Sequence, residues 1–164
     1  MTIDIAHKQY WQDNDGNKYD EEFITREVDD YVKAGGKIYV GADSMLLSNV
    51  CNFAAVIAMH DRDNNIAKYY FKRFKKKSGN YQILQVKILE EVMLAIQTAQ
   101  HVLKICPEAE VELHIDIGST KKSETRKMIS LVKGWVTGTG FKLKIKPHSW
   151  ASSSLADWHT KKIK

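Results

Sequence analysis

From Asp20 to Gly36 the apolar residues Phe23, Ile24, Val28, Tyr31 and Val32 recur three and four positions apart. That spacing predicts an amphipathic helix, with Asp20 as its N-cap, Glu21 and Glu22 in its first turn, and Gly35-Gly36 as its stop. The pattern then becomes extended. Ile38 to Ala42, Val50 to Met59 and Ile66 to Phe74 are rich in aromatic and β-branched residues, as strands require. The breaks between them, Ser48-Asn49 and Asp61 to Asn65, are short, so the three runs should form an antiparallel meander. A helical period returns from Asn80 to Ile105, where Leu89, Val92, Ile96, Ala99 and Leu103 trace one stripe and Pro107 ends the run. Glu110 to Ile117 predicts a further strand and Lys122 to Val136 a further helix, closed by Gly138 and Gly140. Phe141 to Lys146 alternates apolar and basic residues, as a half-exposed strand does, and Ser152 to Lys161 suits a terminal helix. Residues 1–19 carry the turn-rich cluster Asp13 to Asn17 between Tyr10-Trp11 and Lys18-Tyr19, which reads as an arm or hairpin.

Helix, three-strand meander, helix, strand, helix, strand, helix is a mixed α/β layout. A crossover helix should return the fourth strand beside the first, in parallel. The 164 residues fit one domain, 1–164, with 1–19 as the arm and 20–35 as an added helix.

Composition narrows the class only modestly. A charged fraction of 27% and a hydrophobic fraction of 43% are those of a globular protein and argue against disorder. The net charge of +5 and pI near 9.1 tilt the expectation towards a polyanionic partner. Cys51 and Cys106 have neither zinc-ligand nor disulfide-framework spacing and are expected to be reduced core residues. No stretch is long and apolar enough to span a bilayer, and the N-terminus lacks the basic and apolar regions of a leader, so no membrane partner and a cytoplasmic location are expected.

The candidate chemistry lies where apolar runs stop at acids. Lys37 to Ser44 ends its run at Asp43, and Glu110 to Gly118 does so again at Asp116. Parallel neighbouring strands would deliver these two acids side by side at the carboxyl ends, where open α/β sheets place their sites. At 100° per residue Glu91 shares its side of the crossover helix with Leu84, Ile88 and Ala95, while Glu90 falls beside Gln97 and His101 and is expected to be solvated. Asp157 follows in the terminal segment. Carboxylates gathered near an apolar interior require counter-charge. Hard oxygen ligands with few rivals suit Mg²⁺ or Mn²⁺, and two such ions roughly 4 Å apart can activate a water and stabilise the departing oxygen of a phosphodiester.

Four blocks then carry a resemblance: Val40-Gly41-Ala42-Asp43-Ser44, His114-Ile115-Asp116-Ile117-Gly118, Gly140 to Pro147, and Ala151 to Asp157 with Thr160-Lys161. In this order the chain resembles the ribonuclease H-like superfamily, and within it the YkuK-type bacterial family. The resemblance implies a mixed sheet of strand order 3-2-1-4-5, counted from Ile38, and a metal-dependent nuclease with a two-ion site. It implies that Asp43, Glu91, Asp116 and Asp157 are the catalytic and metal-holding acids, acting on RNA, an RNA·DNA hybrid or another nucleic acid. Two positions depart from the family pattern: Ala42 stands where Thr is usual, and His148 where an acid follows the Lys-Pro. The second departure leaves no fifth carboxylate to carry over. Lys144, Lys146 and Lys161 are the candidate phosphate contacts, and His148 and His159 flank Asp157 as possible proton carriers. Lys72 to Lys77 form a further basic cluster, either a guarded edge or a phosphate patch. The alternative function is a catalytically inactive module of the same fold that binds nucleic acid or protein.

Overall fold

The computed structural model describes residues 3–5, 10–61, 66–118 and 124–161. The turn expected at Asp61 to Asn65 and the start of the helix expected from Lys122 fall largely outside them.

The chain builds one seven-stranded mixed sheet with helices on both faces. Two short strands, β1 (Trp11–Gln12) and β2 (Lys18–Tyr19), pair as the expected hairpin, and β1 joins them to the edge of the meander at Phe71. Helix α1 (Glu21–Lys33) starts where Asp20 Oδ1 accepts the Phe23 N–H, and it buries Ile24 and Val28. Gly35, at φ 90°, turns the chain out of it. The meander follows as β3 (Ile38–Leu46), β4 (Val50–Asp61) and β5 (Ile66–Lys77), antiparallel throughout. Helix α2 (Leu84–Ile105) crosses over, and β6 (Val111–Ile115) returns parallel to β3. Helix α3 (Ile129–Gly138) then leads to β7 (Lys142–Lys144), parallel to β6 at the other edge. The final segment is π-helical over Ala151–Ala156 and α-helical over Asp157–Lys161 (α4).

The spatial order is β2-β1-β5-β4-β3-β6-β7. Its last five members are the 3-2-1-4-5 arrangement, and the hairpin extends it. Several elements are shorter than the pattern suggested. Asn80 to Ile83 is a 3₁₀ turn and its exit rather than helix, and Glu110, Asp116 and Ile117 lie outside β6.

Strand alternation sorts the core into two layers. Ile38, Val40, Ala42, Phe53, Ala55 and Ile57 face α2 and α3, meeting Val92, Ala95, Ala99 and Val132. Tyr39, Ala54, Val56 and Phe71 face the other way and are covered by Ala151 and Ala156 of the terminal segment. That cover is very close at Gly41. A Cβ there would lie 2.4 Å from the carbonyl carbon of Ala151 and 2.6 Å from Ser152 N. Gly41 therefore lets the terminal segment rest directly on β3, two residues before Asp43.

Two polar expectations are corrected. Glu90 is not solvated: it is buried and accepts the backbone N–H of Ile3, which ties the N-terminal segment to α2. Lys72, placed by sequence in an exposed basic cluster, is 2% exposed. Its ammonium lies 2.7 Å from Glu21 Oε1, 3.1 Å from the carbonyl of Ile5 and 4.7 Å from the centre of the Trp11 ring. It is a structural lysine, held by an ion pair and an aromatic face. Cys51 and Cys106 are buried free thiols, as expected.

Candidate active site

The parallel register sets the centre of the site. Ala42 stands opposite Ile115, so the next residues, Asp43 and Asp116, lie beside one another at the carboxyl ends of β3 and β6. Both alternate onto the sheet face that carries Tyr39, Glu112 and His114. Asp43 is 6% exposed. Thr160 of α4 donates to its Oδ2 over 3.4 Å, bringing α4, which begins at Asp157, over the same strand end. From the opposite face α2 supplies Glu91, 3% exposed, whose carboxylate accepts the Ser44 hydroxyl. Of the two adjacent acids of α2, Glu91 is the one that reaches Ser44 at this strand end, while Glu90 accepts the Ile3 N–H elsewhere.

Three of the four acids are compensated by lysines. Lys87, one turn before Glu91, lies 3.2 Å from its Oε1. Lys146 Nζ lies 2.8 Å from Asp116 Oδ1, and Lys161 Nζ lies 2.7 Å from Asp157 Oδ2. Asp43 makes no ion pair among the described residues. Burial, then the negative charges of Glu91, Asp116 and Asp157, push its carboxyl up to about 8. Glu91 is also raised, chiefly by burial, against the opposing pull of Lys87 and Ser44.

Asp116 Oδ1 is enclosed, and the Lys146 ammonium at 2.8 Å is its counter-charge, an interaction that raises the pKa of Lys146. A divalent cation bound there through oxygen would take the place of that ammonium. The donor set is of the right kind: four carboxylates with the Ser44 and Thr160 hydroxyls beside them, all hard oxygens. Yet among the described residues no three His, Cys, Asp or Glu side chains stand close enough together to hold one ion as placed.

The remaining candidates are distributed around this centre. Lys144 is exposed on β7, while Lys146 and Lys161 are engaged with Asp116 and Asp157. His148 is exposed. His159 is buried, with its ring stacked on Phe71 at 3.5 Å and its Nε2 3.1 Å from the Tyr69 hydroxyl, so packing holds it. Trp150 lies among the rings of Tyr39, His60 and His114, and Trp158 is exposed.

The residues that sequence reasoning assigned no role are those that set the acids in place. His114, fully buried, accepts the Ala151 N–H at Nδ1 over 3.0 Å and donates from Nε2 to Glu112 over 2.9 Å. Burial keeps its pKa below the usual imidazole value, against the pull of Glu112. It thereby fastens the start of the terminal segment to β6, two residues before Asp116. Lys87 was legible from its i, i+4 spacing to Glu91; Gly41 and Thr160 carried no signal outside the matched blocks.

A family model described as Ribonuclease H-like matches residues 21–161, from the first turn of α1 to the end of α4. The chain belongs to the ribonuclease H-like family. None of the curated proteins matches it. All four acids of this ribonuclease H-like chain lie within the matched span, and family membership makes it a nuclease-like or nucleic-acid-binding module. Among the described residues no helix is long and apolar enough to cross a membrane.

Proposed function

We propose that this ribonuclease H-like protein is a metal-dependent nuclease that hydrolyses phosphodiester bonds in RNA, an RNA·DNA hybrid or another nucleic acid. The observation that carries the reading is Asp43: a buried carboxyl that feels the charges of three other acids and makes no ion pair among the described residues. Structural carboxylates acquire partners, as Glu21 does. One kept unpaired beside three more acids is suited to an external cation.

Asp43 and Asp116 would hold the cations at the paired strand ends, with Glu91 from α2 and Asp157 from α4 completing the set. Bound Mg²⁺ or Mn²⁺ would supply an activated water and charge stabilisation for the departing oxygen. The chain's own part is to position and to exchange charge. Ser44 orients Glu91, Thr160 orients Asp43, and His114 with Gly41 keeps the terminal segment seated so that Asp157 stays at the centre. With a cation held by the carboxylates, Lys146 and Lys161 would stand beside the site as ammonium groups able to meet a substrate phosphate, with Lys144 next along the strand.

The lysine pairing of Glu91, Asp116 and Asp157 favours a second reading, a non-catalytic module that binds nucleic acid or protein and has lysines in place of cations. A cleavage screen separates the two. Labelled single strands, duplexes, RNA·DNA hybrids and branched DNA are incubated with Mg²⁺ or Mn²⁺ and wild-type, Asp43→Asn or Asp116→Asn protein. The nuclease reading predicts cleavage that falls by about 100-fold or more in each variant, at least the upper end of what losing a metal-site partner costs. Cleavage that persists in both variants rejects the assignment, and cleavage of no substrate by the wild type selects the binding module.

A further inference from the structure

Beyond β6, away from the meander, edge strand β7 and helix α3 enclose an open cleft of about 600 Å³, lined among others by Lys37, Glu112, Lys133, Thr137, Lys142 and Lys144. Four lysines there meet one carboxylate. Lys37 is committed to Glu112 at 2.7 Å, and Lys142 to Glu110 at 2.9 Å. Lys133 and Lys144 are exposed, and neither makes an ion pair among the described residues. The cleft therefore presents uncompensated positive charge beside the Thr137 hydroxyl, and it lies outside the acid centre.

The register connects the two places. Lys142 stands beside Glu112 and Lys144 beside His114, so both alternate onto the face on which Asp43 and Asp116 meet. The Lys146 N–H donates to the carbonyl of Ile117 over 3.2 Å, so the chain continues alongside β6 past the end of β7, and the Lys146 ammonium arrives at Asp116. Alternate residues of a strand are roughly 6.6 Å apart, a spacing of the same order as successive phosphates on one nucleic-acid strand. The row Lys142, Lys144, Lys146 thus runs from the cleft to the acids at the repeat of a polyphosphate backbone.

We propose that the cleft between β7 and α3 is a phosphate-binding subsite for the backbone of a nucleic-acid strand whose path along Lys142, Lys144 and Lys146 ends at Asp43 and Asp116. This rests on the nucleic-acid reading of the acid centre and adds a foothold remote from the chemistry. The lining offers ammonium and hydroxyl donors without the Arg, Asn or Gln that read base edges, so the subsite is indifferent to sequence and sensitive to salt.

The test is fluorescence anisotropy on the full chain in EDTA, with a labelled RNA·DNA hybrid and with the same RNA strand alone, across a salt series. Lys133→Ala/Lys144→Ala removes the two uncompensated ammonium groups of the cleft, and Lys18→Ala/Lys104→Ala removes two exposed lysines elsewhere. All four are surface positions, so the fold is retained. The subsite predicts that the slope of log K against log salt becomes shallower by about 1.5 in the cleft pair, from roughly 0.7–0.9 per phosphate contact. Affinity near 0.1 M salt should fall about tenfold, while the control pair matches the wild type. Tight wild-type binding with an unchanged slope in the cleft pair, or an equal loss in the control pair, overturns the subsite and leaves the reading of the acid centre standing. Binding of neither probe by the wild type in EDTA likewise overturns the subsite, whose lysines need no cation, and the cleavage screen with Mg²⁺ or Mn²⁺ decides the acid centre separately.

Discussion

The charged groups around Glu21 and those around Asp43 are resolved in opposite ways. Beneath α1, Glu21 meets Lys72 at 2.7 Å and His101 at 2.8 Å, and Lys72 lies over Trp11. Against the cost of partial burial, the hydrogen bonds and charges of His101 and Lys72 bring the Glu21 carboxyl down to about 2. At the ends of β3 and β6 burial works in the same direction, but Asp43 makes no ion pair among the described residues, and burial with the charges of Glu91, Asp116 and Asp157 raises its carboxyl to about 8. The first cluster is self-sufficient and holds α1, the hairpin and β5 together. The second leaves a buried carboxyl without a counter-charge among the described residues, which is the feature on which the proposed cation site rests.

The contrast can be broken from either side. The largest effect is expected at Lys72. Lys72→Met keeps the stem and removes the charge, stranding the Ile5 carbonyl and half-exposed Glu21; a loss of about 3 kcal/mol, at the lower end for breaking a buried pair, should appear as a lower urea midpoint with unchanged m. Next is Gly41→Ala, whose Cβ would meet main-chain atoms of Ala151 and Ser152. A cost of about 2 kcal/mol is expected for this overpacking. It should come with faster hydrogen exchange across residues 151–161, since the terminal segment must lift from β3. Exchange unchanged in that segment would mean that the close approach does not hold it.

The smallest effect has the opposite sign. In chelator, Asp43→Asn should stabilise the fold by about 1 kcal/mol at pH 8.5, because it removes a buried charge that has no partner. The pH dependence follows from the two clusters. Asp43 is raised in the folded state, so its contribution is fully present below about 3.8 and is lost as pH rises through about 8. Glu21 is lowered, so its contribution is present above about 4.5 and is lost as pH falls towards about 2. Thermal unfolding in EDTA should therefore show, in the wild type, a decline that accrues from about pH 4 to about pH 8 and is missing from Asp43→Asn, and a loss below about pH 4.5 common to both. An identical decline between about pH 4 and about pH 8 in the two proteins would contradict the account.

The sequence disclosed the acid centre more fully than its surroundings, for physical reasons. Asp43 and Asp116 were legible because both end apolar strands, and a crossover helix after the meander favours returning the fourth strand parallel to the first. Glu91 was separated from Glu90 by helical period alone. Glu90 itself was misjudged because its partner is the Ile3 backbone, 87 residues away, and no local pattern carries a contact of that range. Lys72 did leave a trace. It alternates with Tyr70 and Phe74, both buried, and a lysine on an apolar strand face implies a buried partner. Lys161 stands four residues after Asp157 and was legible from that spacing, whereas Lys146 on Asp116 and the part played by His114 depend on how the chain after β7 lies against the sheet, which periodicity does not specify.

The central claim is that Asp43 is unpaired because a divalent cation is its intended partner. Thermal unfolding of wild type and Asp43→Asn against increasing MgCl₂ or MnCl₂ tests this directly, without a substrate, because a ligand bound only to the folded state stabilises it in proportion to the logarithm of its concentration above Kd. The account predicts a Tm that climbs with cation in the wild type, by about 2.7 kcal/mol of stabilisation at 100 times Kd, and stays nearly flat in Asp43→Asn. Equal slopes in the two proteins, or no rise in the wild type, would contradict it.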